Sequence, residues 1–317
     1  MRFDDIRNNI NKVLLFILPV KQHYWNSITK CNIEEKPVFA GKYYLNFISK
    51  YDYPLDFDQN GIPLYRKKNM KSEYHPIVIA QYALGIYEKL NYTGTGKNSL
   101  INKFLTQADW FRNNLIEVKS KYYWYINYDI PEYKIISPWY SAMAQGEAVS
   151  VLVRAFILTG EKDYLSTSEK AIQVFFSDVK DGGVVNYFDK HIIYEEYPSP
   201  ERTVGVLNGF IFSLFGIFDL YLATKNHSYH RLFQKGADSL KDLLEVYDME
   251  YWSQYYLFDH PQKYPASFTY HKLVIEQLKV LHILTGEKIF SEYSDKWNIY
   301  SRKLINRIRV LLHKLLN

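Results

Sequence analysis

The sequence is poor in the residues and motifs that build metal and nucleotide sites. Cys31 is the one cysteine in 317 residues, which excludes an intramolecular disulfide and a cysteine-rich metal site. The nine histidines do not cluster at the spacing of metal ligands, so we expect no metal site. The chain also lacks a P-loop, a dinucleotide-binding glycine fingerprint, HExxH and GxSxG. These absences exclude the enzyme classes that such motifs define.

Dense runs of positive charge and long apolar runs are also missing. The net charge is +5, without the Lys/Arg clusters of a nucleic-acid-binding arm, so we expect no nucleic-acid partner. A mild basic excess suits an acidic polysaccharide and equally an ordinary soluble protein. Val13–Val20 is an apolar run of about eight residues, far too short for a membrane span. It precedes no small-residue cleavage site, so we expect a docked N-terminal helix, no integral membrane span and a cytoplasmic location.

Aromatic residues are abundant, at 17% of the chain with 30 tyrosines. Aromatic faces stack on sugars in carbohydrate-binding clefts. Tyrosine, lysine, asparagine and isoleucine are all frequent here, as an AT-rich genome would produce. Composition by itself therefore adds little weight to a carbohydrate function.

The chain divides into two parts by its local patterns. Residues 1–70 hold several prolines and short alternating runs, which predict a helix followed by extended or hairpin pieces. From Pro76 the apolar spacing becomes helical, and proline is favourable in a first helical turn. We therefore assign 1–70 to an N-terminal segment and 71–317 to a helical domain.

A turn motif recurs three times at intervals of about 60 to 65 residues. The three copies are Leu158–Tyr164, Ala223–Tyr229 and Leu284–Phe290, each between an apolar and a more polar helix. Gly160 and Gly286 fit the position after a helix end, where a left-handed backbone is needed. Leu90–Gly96 resembles a degenerate first copy, so the repeats predict four helix pairs in an all-α fold.

Helix pairs of this kind build either a closed (α/α) toroid or an open solenoid. The loops before the first helix of each pair favour the toroid, because a toroid brings such loops together around one central cleft. These loops are Tyr122–Trp139, Asp181–Glu201 and Tyr251–Tyr270, and all are rich in aromatic and polar residues. Within the first, Tyr122–Ile130 alternates like a strand.

The loops and helix starts supply the candidate site residues. Glu195 and Glu196 lie beside tyrosines just before a helix that we predict to begin at Thr203, and such a carboxylate is suited to proton transfer. The alternative is a solvated acidic loop. Four residues with polar tips lie near the last helix start: Tyr255, Tyr256, Tyr270 and His271. A helix start favours an anion, so these residues could bind one. The alternative is that they pack on the core as aromatic residues at its rim. Three amide side chains lie on otherwise apolar helices: Gln81, Gln145 and Asn208. They could form hydrogen bonds with sugar hydroxyls or with polar groups inside the core.

Several segments, in the right order, resemble the D-glucuronyl C5-epimerase family. They are Gly61–Leu64, Tyr74–Pro76 with Ile79–Tyr82, Ala108–Trp110, Trp139–Ala148 with Leu152–Ala155, Tyr194–Pro198 with Val206–Gly209, and Tyr270–His271. The pair WYSAMAQG and YEEYP carries most of the specificity. Only about 15 residues separate Leu90 from Phe104, which leaves no room there for the β-sandwich of the animal enzymes. The chain therefore resembles a short, microbial form.

The resemblance implies an isomerase that inverts C5 of D-glucuronate to L-iduronate within a polysaccharide such as heparosan, with no cofactor. By motif the catalytic residues are Glu196, Tyr197, Tyr255 and Tyr270, with Glu196 and Tyr270 as the opposed acid and base. Substrate-binding residues would be Gln81, Trp139, Tyr140, Gln145, Arg202, Asn208 and His271. Phe258 stands where the family has an arginine for the uronate carboxylate, for which Arg202, Lys263 or His271 could substitute. A homodimer is left open.

Two other readings remain open on the sequence. A polysaccharide lyase or a glycoside hydrolase could use the same toroid, and a hydrolase would need two carboxylates from Glu195 or Glu196, Glu147 and Asp129. A non-catalytic polysaccharide-binding protein is the third reading, which Phe258 makes plausible. Analysis of the products separates the three.

Overall fold

The computed structural model describes residues 29–66, 71–258 and 263–316. The apolar run Val13–Val20, predicted to form an N-terminal helix, lies outside the described residues. Helices dominate the described chain, which confirms the all-α class. Their bounds are α1 Pro76–Leu90, α2 Lys97–Asn113, α3 Ala142–Thr159, α4 Lys162–Ala171, α5 Leu207–Thr224, α6 His227–Tyr247, α7 Phe268–Thr285, α8 Lys288–Arg302 and α9 Leu304–Leu316.

The first eight helices pack as four consecutive pairs, α1/α2 to α7/α8. The first helices of the pairs also neighbour one another in the order α1, α3, α5 and α7. Almost every residue of α3 and α5 is buried, whereas α6 and α8 bury one face only. Residues 91–96 join α1 directly to α2. The predicted helix pairs are present, while closure of a toroid stays a prediction.

The N-terminal segment connects the fourth helix pair to the first. The backbone N–H of Cys31 donates to the Glu276 carboxylate on α7 at 3.0 Å. The Asn32 side chain donates to the Glu88 carboxylate on α1 at 2.9 Å. The segment therefore lies between the two ends of the row of inner helices.

Two helices, α3 and α5, are long and apolar enough to cross a membrane by length and composition. In this fold 78% of the α3 window and 83% of the α5 window is buried inside the protein. A hydrophobic helix surrounded by other helices is what the core of a helical domain requires. We therefore read both as core helices.

In the described part of the chain, three short antiparallel hairpins accompany the helices. They pair β1 (Leu64–Tyr65) with β2 (Glu73–Tyr74), β3 (Ile116–Val118) with β4 (Lys121–Tyr123), and β5 (Val185–Phe188) with β6 (His191–Tyr194). The strand predicted over Tyr122–Ile130 is therefore shorter than expected, and isolated bridges such as Ile126 to Trp139 continue it. The loop Asp181–Glu201 contains the β5–β6 hairpin.

The three copies of the turn motif have the predicted backbone. Gly160 and Gly286 follow α3 and α7 with left-handed φ angles of 76° and 79°. The equivalent position after α5 is Lys225, which adopts the same conformation with a φ of 57°. The aromatic residue four positions beyond each is buried, in agreement with the motif.

The helix predicted to begin at Thr203 begins instead at Leu207. The reason is that the Glu195 carboxylate accepts the backbone N–H groups of Val204 and Gly205, at 2.9 and 3.0 Å. The carbonyl of Val204 in turn accepts the N–H of Leu257 at 2.9 Å. These residues therefore form an extended segment, because their polar groups are bound outside a helix.

Lys225 is the position where glycine should stabilise the fold. A left-handed conformation costs a residue with a Cβ about 1 kcal/mol, and glycine adopts it without that cost. We expect Lys225→Gly to raise the free energy of unfolding in urea by about 1 kcal/mol relative to Lys225→Ala. Both variants lose the exposed bond from the lysine ammonium to the Val38 carbonyl, so their difference isolates the backbone. Equal stability of the two variants would contradict the expectation.

Candidate functional site

A cavity of about 440 Å³ opens among the N-terminal ends of α1, α5 and α7. The N-terminal segment and the loops before α3 and α5 complete its walls. Its lining joins residues that are far apart in sequence: Thr29, Phe47, Lys50, Leu55, Tyr65, Arg66, His75, Ile77, Val78, Gln81, Tyr128, Trp139, Met143, Glu196, Tyr197, Asn208, Phe212, Thr269, Tyr270 and Leu273. The cavity therefore depends on the whole helical assembly.

Glu196 supplies the carboxyl group of this cavity. It follows β6 by two residues and is 6% exposed. A Cβ added at Gly209, in the first turn of α5, would lie 2.8 Å from the Glu196 Cδ, so the missing side chain makes room for the carboxyl group. Burial raises the pKa of Glu196 to about 7, and the Tyr197 hydroxyl offsets part of that rise by a hydrogen bond. Its Oε2 has no hydrogen-bond partner among the described residues.

Glu195 has a different environment from its neighbour. Its two carboxylate oxygens accept backbone N–H groups of Val204 and Gly205. Burial raises its pKa to about 8, although these N–H groups favour the charged form. Its backbone carbonyl accepts the N–H of Ala142 at the start of α3 at 2.9 Å. Glu195 is therefore a structural residue, and one carboxyl of the pair is left for the cavity.

Aromatic rings surround the Glu196 carboxyl group. Tyr197 packs against Trp139 with ring centroids 5.5 Å apart. Tyr270 packs against Tyr255 with ring centroids 5.1 Å apart and is itself 41% exposed. Desolvation and the charge of Glu196 raise the pKa of Tyr270 to about 12. Desolvation likewise holds the pKa values of Tyr197 and Tyr255 well above the ordinary range, so all three phenols are neutral at pH 7.

The predicted amides separate into two groups. Gln81 and Asn208 line the cavity, and Gln81 donates to the buried Glu147 carboxyl at 3.2 Å. The Oδ1 of Asn208 has no partner among the described residues. Gln145 is fully buried elsewhere, where it accepts the N–H of Trp124 at 3.1 Å and donates to two backbone carbonyls. It holds the β4 region onto α3.

Three other predicted binding residues lie away from the cavity lining. The Tyr140 hydroxyl donates to the carbonyl of Gly183 at 3.2 Å. His271 is buried against Trp252, with ring centroids 3.7 Å apart, and burial lowers its pKa to about 3. Arg202 stacks on Phe258 with its guanidinium carbon 4.5 Å from the ring centroid. Lys263, the remaining predicted substitute cation, donates to backbone carbonyls of Val246 and Asp248.

The cavity also contains residues that sequence reasoning missed. Lys50 and Arg66 line it from the N-terminal segment. His75 and Tyr128 share a hydrogen bond of 3.0 Å at its wall, and burial lowers the pKa of His75 to about 4. A signal for His75 existed in the Tyr74–Pro76 motif. Nothing in the irregular N-terminal sequence marked Lys50, because its position depends on a long-range contact.

Potential metal ligands do not gather in the described part of the chain. Among residues 29–66, 71–258 and 263–316, no group of three or more His, Cys, Asp or Glu side chains could hold an ion. The described lining residues of the cavity offer one buried carboxyl group, neutral phenols, amides and basic side chains.

The raised pKa of Glu196 makes the stability of the protein depend on pH. The folded state holds the proton up to about pH 7, whereas the unfolded chain releases it near its ordinary pKa of 4.5, so stability falls as pH rises between these values. We expect Glu196→Gln to raise the free energy of unfolding by about 2–3 kcal/mol at pH 8 and by little at pH 4.5. Denaturant titrations at both values measure this. Glu292→Gln, on the exposed side of α8, is the control, and a pH-independent difference for Glu196→Gln would contradict the expectation.

Comparison with known proteins shows which family the chain resembles. The family described as D-glucuronyl C5-epimerase C-terminus matches residues 118–299, which include Glu196, Tyr197, Tyr255 and Tyr270. A D-glucuronyl C5-epimerase of Caenorhabditis elegans is 32% identical over 217 residues, which are 62% of this chain and 35% of that protein. An uncharacterised protein of Methanocaldococcus jannaschii is 32% identical over 178 residues, 55% of this chain and 56% of that protein.

The chain thus spans about a third to about half of the length of these relatives. The match includes the β6–α5 connection that carries Glu196 and the start of α7 that carries Tyr270. Because the family match covers more than half of the sequence, the chain belongs to the D-glucuronyl C5-epimerase family.

Proposed function

We propose that the protein is a polysaccharide epimerase that inverts C5 of D-glucuronate units to give L-iduronate. The observation that carries the proposal is the buried Glu196 carboxyl, with a pKa of about 7, in a cavity lined by neutral phenols and amides. Membership of the family supports an epimerase of this general kind. The substrate and the proton-transfer steps are part of the proposal.

The reaction requires removal of a weakly acidic proton. The C5 hydrogen of a uronate is α to its carboxylate, and a base near neutral pKa removes such a proton most effectively at neutral pH. In the proposal, ionised Glu196 accepts the C5 proton of glucuronate. Its unpartnered Oε2 is the atom assigned to this step. The electron pair left at C5 delocalises into the carboxylate as an enolate-like anion.

A second group must return a proton to the opposite face of C5. We assign this step to Tyr270, whose hydroxyl stays protonated up to about pH 12 and can donate. Tyr270 lies in the first turn of α7, and the Ser267 hydroxyl accepts its backbone N–H at 3.3 Å. The C5 configuration is inverted when the proton arrives, and solvent then restores the proton on Tyr270 and removes that on Glu196.

The remaining residues would bind and orient the sugar. Trp139 and Tyr197 offer ring faces at the cavity wall, which can stack on a pyranose. Gln81 and Asn208 present amides to hydroxyl groups. Tyr255 supports Tyr270 from the side, at 5.1 Å between rings. We propose an unsulfated glucuronate polymer such as heparosan as the first substrate to test.

The alternative activities differ in what they require of the cavity. A glycoside hydrolase needs two carboxyl groups across the scissile bond. Glu196 is the one carboxyl residue among the described lining residues, while Glu195 is bound to backbone and Glu147 is fully buried. This arrangement favours C5 chemistry over hydrolysis. A lyase would begin with the same proton removal and would release unsaturated chain ends.

Incubation of heparosan with the protein in D₂O tests the proposal. We expect deuterium at C5 and new iduronate signals in the proton NMR spectrum, with unchanged chain length. Glu196→Gln and Tyr270→Phe should each lower the rate by about 100-fold or more, since each removes a proton-transfer group. Tyr92→Phe, at an exposed residue 61% accessible to solvent, should keep the wild-type rate. Unsaturated ends would indicate a lyase, and binding without exchange would indicate a polysaccharide-binding protein.

The pH dependence of the rate tests the assignment of Glu196 as the base. The ionised carboxylate is needed, so kcat/KM should rise about tenfold per pH unit below pH 7 and level off above it. Titration of Tyr270 should not lower the rate below pH 9, because Tyr270 keeps its proton well beyond that value. An acidic midpoint near the ordinary glutamate pKa of 4.5 would contradict the assignment.

A further inference from the structure

Lys50 is a buried lysine among the residues that line the cavity. It belongs to a short 3₁₀ turn, Ile48–Tyr51, in the N-terminal segment, and is 7% exposed. The turn lies directly against α1, because a Cβ added at Gly85 would be 2.7 Å from the Tyr51 nitrogen and 2.8 Å from the Lys50 carbonyl carbon. The glycine therefore allows the backbone approach that places Lys50 beside the cavity.

The surroundings of Lys50 keep its charged group largely out of contact with water. Burial lowers the pKa of Lys50 to about 8, and the negative charge of Glu147 on α3 opposes that shift. Glu147 is fully buried, and desolvation raises its own pKa. Its Oε1 accepts from Gln81, which lines the same cavity. At neutral pH the ammonium is mostly charged and lies in a medium where an added anion would be strongly attracted.

A uronate carboxylate needs such a partner. Charge builds on the carboxylate when C5 loses its proton, and a preorganised cation stabilises that charge. In the described part of the chain, Lys50 and Arg66 supply the lysine and arginine side chains of the lining. Arg66 is exposed, whereas Lys50 is buried. The other basic residues considered, Arg202 and His271, contact Phe258 and Trp252 instead of the cavity.

We propose that Lys50 binds the carboxylate of the uronate unit at which the C5 proton is exchanged. This inference rests on the proposed function and specifies the charge of the substrate at that site. It assigns to the N-terminal segment a binding role, although the segment lies outside residues 118–299 that match the family. Phe258 then no longer leaves the substrate carboxylate without a counter-ion, because the cation comes from a different part of the fold.

Binding of two polymers to Lys50→Met and Lys50→Arg tests the inference. Heparosan carries the carboxylates, and the same polymer with its carboxyl groups reduced to alcohols does not. We expect Lys50→Met to weaken the binding of heparosan by about tenfold or more and to leave the binding of the reduced polymer unchanged. Lys50→Arg should recover most of the affinity, since it restores the charge. Lys303→Met, at an exposed residue between α8 and α9, controls for the loss of one positive charge.

Turnover separates this inference from the proposed function. If wild-type protein exchanges C5, Lys50→Met should lower kcat as well as raise KM, with kcat/KM reduced by about 100-fold. If wild-type protein binds heparosan without exchange, the proposed function fails and the binding comparison alone decides the role of Lys50. The inference is overturned if Lys50→Met binds heparosan as Lys303→Met does, or if it weakens both polymers equally.

A measurement on the intact wild-type protein covers the case in which Lys50→Met does not fold. The Lys50 ammonium can be followed by NMR of ¹⁵N-labelled side chains during a pH titration. Saturating heparosan should raise its pKa above the free value of about 8, because an anion favours the charged form. The polymer with reduced carboxyl groups should leave the pKa of Lys50 unchanged. An unchanged pKa with heparosan bound would contradict the inference.

Discussion

The interaction on which the site depends is the binding of two backbone N–H groups by the buried carboxyl group of Glu195. It binds the residues before α5 in an extended form and delays the helix until Leu207. The carbonyl of Val204 in this segment accepts the N–H of Leu257. The N–H of Leu207, at the start of α5, donates to the carbonyl of Tyr255 in the loop before α7. Glu195 also holds the start of α3 through its carbonyl. Glu195 thus joins the segment before α5 to the start of α3, and Glu196, the next residue, lines the cavity.

Burial sets the pKa of Glu196, and the helical core provides that burial. A lone carboxyl in an aromatic cavity loses hydration, which raises its pKa towards neutrality. The Gly209 position allows this close approach, and the surrounding phenols share the same desolvation and stay neutral. A base and an acid of widely different pKa therefore face one space. Both pKa values rise because both groups lose water, so the difference between them stays close to that of an ordinary glutamate and tyrosine.

Local sequence predicted what depends on local structure. The turn repeats predicted the helix pairs and the left-handed positions, and the YEEYP motif identified Glu196 as a candidate site residue. Thr203 was a wrong helix start, because a carboxylate from the preceding hairpin binds the backbone that a helix would have used. Some residues that lie within a recognised motif, such as Gln145, form hydrogen bonds inside the core and do not reach the cavity. Lys50 could not be identified from the sequence, because its position at the cavity depends on the contact of its turn with a helix about 35 residues away.

The measurement that tests the central claim most directly is the titration of the Glu196 carboxyl itself. Carbon-13 NMR of protein labelled at glutamate Cδ, with Glu196→Gln to assign the signal, reports its protonation without any assumption about substrate. The account predicts a midpoint near pH 7. A midpoint near 4.5 would mean that Glu196 is hydrated and permanently ionised in the folded protein, and it would remove the physical basis for its role as a base at C5.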